Sequence, residues 1–164
     1  MIEPTGFTIF CDDIREEVNG KLSLIGCYGA DLRIFGSPLP ILLPKLGFHI
    51  TIRLPTDGPN LPLKIMIYLP GQPDDQPALT ADATIPDELI AEHKSQPRDP
   101  KWDALIGSEP VFRGVRQHFV LSPVAIIEEG LIRVRLLYGD TRIRAGALKV
   151  LVEKETVTPP PTST

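Results

Sequence analysis

The chain alternates apolar and polar residues with a period of two along much of its length. Leu46, Phe48, Ile50, Ile52 and Leu54 alternate with Gly47, His49, Thr51 and Arg53. Successive side chains of a strand point to opposite faces, so this spacing predicts a half-buried β-strand with one apolar face. Leu63, Ile65, Ile67 and Leu69 repeat the pattern, as do Leu79, Ala81, Ala83 and Ile85. Residues 115–121 read as another strand, and Ile132, Val134, Leu136 and Tyr138 alternate with Arg133, Arg135 and Leu137. One segment departs from this period. Residues 86–94 open on Pro86-Asp87-Glu88 and close on His93-Lys94. Charges in that order complement a helix dipole, so one short helix is expected there.

Turn chemistry joins the strands. Asn19-Gly20 separates residues 7–18 from 21–28, and Asn-Gly favours the positive φ values of a two-residue type I′ hairpin loop. In that register Val18 faces Lys21, Cys11 faces Tyr28 and Cys27 faces Asp12. The two cysteines then lie on opposite faces, which argues against a disulfide. Gly139-Asp140 separates 131–138 from 141–152 in the same way. About eight short strands and at most one helix predict an all-β fold. The expected form is a two-sheet antiparallel β-sandwich, immunoglobulin-like or a similar Greek key, over residues 1–154. A closed small barrel is the second architecture. Residues 155–164, rich in proline and threonine, read as a disordered tail.

Composition changes this picture little. The 164 residues include 18 prolines, roughly twice the usual share, and they gather between strands where a sheet tolerates them. Net charge is −4, which argues against a general nucleic-acid binder. The start, Met1-Ile2-Glu3-Pro4, has no basic opening or apolar stretch, and no run is long enough to span a bilayer. A cytoplasmic protein with reduced thiols and no membrane contact is the expectation.

Phe10-Cys11-Asp12-Asp13-Ile14-Arg15 leads through Asn19-Gly20-Lys21 into Leu22-Ser23-Leu24-Ile25-Gly26. This opening resembles that of a family of small, uncharacterised bacterial and phage-borne proteins, a domain of unknown function. The likeness continues at Pro44-Lys45-Leu46 and loosely across most of residues 5–152. It implies a compact β-protein and carries no activity or site residue.

Candidate chemistry is sparse. There is no nucleophile elbow, phosphate-binding glycine loop, dinucleotide fingerprint or His-Glu-x-x-His. No catalytic residue, cofactor or metal ligand is assigned. Four arginines stand out in the last hairpin. With Gly139-Asp140 as the turn, Arg135 faces Arg144, Leu137 faces Arg142 and Arg133 faces Gly146, so all four arginines share one side. Like charges directly opposed are destabilising. They are offset by acids of the chain (Glu16, Glu17, Glu128 or Glu129), by a role in blunting an edge strand, or by an anionic partner. Residues 110–154 carry net +4 and residues 74–109 net −6, so the basic face and the acidic stretch can pair within one chain or between copies.

Two weaker candidates remain. Asp12-Asp13 offers paired acids for calcium, although adjacent strand positions point apart. Trp102 is the single tryptophan, either a plug against the core or an anchor for a partner. The expected function is a non-catalytic interaction or accessory structural module of a bacterial or phage assembly, with a protein partner or self-association. A small-anion binder or enzyme using the arginine cluster is the first alternative, and a calcium-dependent binding module the second.

Overall fold

A computed structural model describes residues 3–55, 59–83 and 112–153 of the chain. Among these, twelve strands form, where about eight were expected. They are β1 (Thr5–Cys11), β2 (Asp13–Glu16), β3 (Leu22–Ile25), β4 (Asp31–Phe35), β5 (Ile41–Leu43) and β6 (Leu46–Pro55), followed by β7 (Leu63–Tyr68), β8 (Leu79–Ala83), β9 (Phe112–Leu121), β10 (Val124–Ile126), β11 (Gly130–Tyr138) and β12 (Thr141–Glu153). The strands with the cleanest alternation in the sequence are β6, β7, β8 and β11. The extra strands are mostly the short ones, three to five residues long, in which no period can establish itself.

Two open sheets carry the fold. One has the order β1-β6-β9, the other β4-β12-β11-β7-β8. Two ribbons, β2-β3 and β5-β10, complete it. The fold is all-β, and none of these sheets closes into a barrel. One pairing departs from the antiparallel expectation, because β4 runs parallel to the end of β12. The expected helix at 86–94, Trp102 and the tail at 155–164 lie outside the described residues.

The two large sheets share one core. Phe10, Phe48, Ile50, Ile52 and Leu54 project from the first sheet. Ile65, Ile67, Ile132, Val134, Leu136, Leu148 and Val150 project from the second. Phe10 and Phe48 meet edge to face, ring centroids 5.7 Å apart. Burial of each large apolar side chain contributes roughly 1.5–3 kcal/mol, which is what selects one face of each alternating strand. The polar positions are thereby sent to the two outer faces, where both candidate sites lie.

Both hairpins depart from their simplest register. Asn19 and Gly20 take positive φ as the Asn-Gly signal predicts, 66° and 71°. Val18 joins them in the loop, so the pairs become Asp13–Ile25, Ile14–Leu24, Arg15–Ser23 and Glu16–Leu22, one residue off the expected register. No residue of this ribbon is fully buried, so burial holds its register only weakly. The last hairpin keeps its expected register from the turn to Arg135–Arg144. A bulge then shifts it, and Arg133 faces Ala147 rather than Gly146.

Candidate functional site

The arginine face is built by β11 and β12. Their inward positions Ile132, Val134, Leu136, Ile143 and Leu148 are buried, which turns Arg133, Arg135, Arg142 and Arg144 onto the outer face of the five-stranded sheet. Arg135 and Arg144 are direct cross-strand partners, with Met66 of β7 on the other side of Arg135. Leu137 lies between Lys64 and Arg142 in the next row.

These arginines do not behave alike. Arg133 is tied into the chain. Its guanidinium reaches Asp74 at 2.7 Å, donates to the Gln72 carbonyl at 2.5 Å and lies 4.8 Å over the Tyr68 ring. Arg135 donates to its neighbour's carbonyl, Val134 O, at 3.1 Å. Among the described residues no carboxylate forms a salt bridge with Arg135, Arg142 or Arg144. Burial first, and then the charges of Arg133 and Arg144, hold the Arg135 guanidinium below its ordinary range. The four acids expected to offset the cluster are engaged elsewhere or lie apart. Glu16 meets His118, Glu17 accepts from Ser23, Glu129 accepts from the Val152 amide, and Glu128 lies against Gly71. The internal partner is instead Asp74, from the turn after β7, which forms its salt bridge with Arg133 and acts on Arg135 only as a nearby charge.

Asp12 and Asp13 are separated by a break in the strand. Asp12 sits between β1 and β2, where its amide donates to the carbonyls of Ile25 and Gly26. Its carboxylate accepts from the Tyr28 hydroxyl. Burial and that bond push the Tyr28 hydroxyl well above its ordinary range. Asp13 accepts from Lys45 at 3.1 Å and lies 3.6 Å from Arg15. Lys45 holds the Asp13 carboxyl below its usual value. Both acids therefore serve the chain at this junction. Among the described residues, no group of three or more His, Cys, Asp or Glu is placed to hold a metal ion. Cys11 is buried and Cys27 exposed, and both are free thiols.

Sequence reasoning missed a second constellation, on the opposite face of the molecule. His49 of β6 and His118 of β9 are far apart in the chain, yet they are direct cross-strand partners. Arg116 faces Thr51 one step along the same outer face. The β2–β3 ribbon folds down over this face, and a Cβ on Gly47 would come within 2.8 Å of Cys11 Sγ and 3.0 Å of Ile14 Cγ1. Between ribbon and sheet lies a cleft of about 850 Å³, with His49, Arg116 and His118 as floor and Glu16, Glu17, Lys21, Leu22 and Leu24 among its walls. His118 Nε2 lies 3.0 Å from Glu16 Oε1 and links floor to wall. The polar positions of β6 and β9 were visible as such. Their pairing was not, because it depends on a register across some seventy residues.

No family model matches the chain, and no curated protein or solved structure matches it either. No helix among the described residues is long and apolar enough to cross a membrane.

Proposed function

We propose that the chain is a non-catalytic binding module that docks an acidic protein surface on the face carrying Arg135, Arg142 and Arg144. The observation that carries this reading is the Arg135–Arg144 pair, two like charges set directly opposite each other with no carboxylate salt bridge among the described residues. Such a pair is destabilising by itself, and guanidinium forks suit carboxylates that a partner brings. The neighbouring outward positions are Met66, Leu137 and Lys64, which form no nucleophile–base couple and favour contact over catalysis. Arg133, held by Asp74, anchors the margin of the face rather than its centre. The setting we propose is an accessory or structural part of a bacterial or phage assembly, a reading that rests on the resemblance of the opening hairpin.

The test is fluorescence anisotropy with a labelled polyglutamate peptide, against a neutral Gly-Ser peptide. Binding to polyglutamate should weaken with salt and fall about tenfold or more in Arg135→Gln/Arg144→Gln. Undiminished binding in that double variant refutes the reading. Sedimentation of the unliganded protein then assigns the occupant. A dimer that dissociates in the same variant identifies a second copy, and a monomer identifies a separate partner.

A further inference from the structure

The cleft under the opening ribbon carries two cations, Arg116 and Lys21, that its two carboxylates, Glu16 and Glu17, do not pair with among the described residues. Glu16 is engaged by His118, and Glu17 accepts from Ser23 Oγ at 2.8 Å. Arg116 on the floor and Lys21 on the wall form no salt bridge among the described residues. We propose that this cleft is a binding site for a small organic oxyanion, a carboxylate or phosphate ester that carries an apolar group. It is separate from the arginine face, which lies on the outside of the other sheet.

Four features define the ligand. The cleft's volume, about 850 Å³, falls in the range of small-molecule sites. Arg116 on the floor supplies a planar fork that matches two oxyanion oxygens, and Lys21 supplies a second positive charge from the ribbon wall. Leu22 and Leu24 give the ribbon wall an apolar surface for the rest of the molecule. His49 supplies the fourth feature. Its Nδ1 is buried without a hydrogen-bond partner among the described residues, and a proton there would be an orphaned buried donor. The tautomer with its proton on Nε2 avoids that orphaned donor and offers Nε2–H to a ligand. Burial first, then His118 and Arg116, lower the pKa of His49, so the ring is a neutral donor near pH 7. The bound anion is thus held by fixed charge and a neutral N–H, with no proton transferred.

The test is amide chemical-shift mapping of the ¹⁵N-labelled protein with three probes: benzoate, phenyl phosphate and the uncharged benzamide. Benzoate or phenyl phosphate should give saturable shifts at Gly20, Lys21, His49 and Arg116, and benzamide should not. A response to only one of the two anions supports the site and chooses between carboxylate and phosphate ester. Arg116→Gln should weaken binding about tenfold. Lys21→Gln, at the exposed end of the ribbon, should weaken it too, and it keeps the proposal testable if the Arg116 variant folds poorly. Arg142→Gln, on the other face, should leave it unchanged. The proposal is overturned by no saturable shift at the cleft, by an equal response to benzamide, or by undiminished binding in Lys21→Gln and a folded Arg116→Gln. It is also overturned if Arg142→Gln, and not the cleft variants, abolishes binding.

Discussion

Single residues show how burial sets chemistry here. The Cys11 thiol is pushed up from 9.0 to about 11, by burial first and then by the nearby Cys27, Asp12 and Asp13 charges. Cys27 is exposed. A thiol-titrating reagent at neutral pH should therefore label one cysteine in the folded protein and two after denaturation. The same shift has a stability consequence. A folded pKa above the unfolded one means that stability is intact below pH 9 and falls as pH rises toward 11. Tyr28, also raised above its ordinary 10, adds to the loss only at the upper end. Denaturant unfolding across this window should show the decline, and Cys11→Ala should flatten its lower part.

Arg113 is the opposite case, a charge placed where water cannot reach it. It is 7% exposed, its Nε donates to the Pro55 carbonyl at 3.3 Å, and its two terminal nitrogens have no hydrogen-bond partner among the described residues. An incompletely paired buried charge costs several kcal/mol, so an apolar side chain of similar length should be tolerated or favoured. Arg113→Met is expected to hold or raise the melting temperature. A clear fall would show that the guanidinium is satisfied in solution.

At the scale of elements, two glycines permit the arrangements on which both sites depend. Gly146 lies in the β11–β12 bulge with φ 156°, and a Cβ there would come within 3.0 Å of Thr8 Cβ. Gly146→Ala should cost about 1–3 kcal/mol from backbone strain and crowding, read by chemical denaturation. Gly47 lets the β2–β3 ribbon lie flat on β6. Gly47→Val should lift the ribbon, loosen the His118–Glu16 contact and disturb the cleft while the arginine face keeps its polyglutamate affinity. The two effects separate because the ribbon packs on the three-stranded sheet and β12 belongs to the five-stranded one.

For the whole molecule, the sandwich presents two outer faces with different charge patterns. The opposed Arg135 and Arg144 carry a stability cost in the isolated chain. Arg144→Gln should therefore stabilise the isolated protein by about 0.2–1 kcal/mol at low ionic strength, with the gain fading as salt screens the pair. The same variant should weaken acidic-peptide binding. A loss of stability in Arg144→Gln would instead place Arg144 in an internal network.

The sequence by itself determined the all-β class, the faces of β6, β7, β8 and β11, and the opposition of Arg135 and Arg144. Each follows from local rules: a period of two, burial of one face, and a turn that sets register over the first few pairs. Only the tertiary structure decided the rest. Val18 entered the first loop because no residue of its ribbon is fully buried, so burial does little to resist a slip. Asp74 took Arg133 because a turn distant in sequence folds beside β11. His49 met His118, and the cleft formed above them, because β6 and β9 pair across a long intervening segment. Contacts of that range are set by how two sheets and a ribbon pack together, and the local alternation of residues does not encode it.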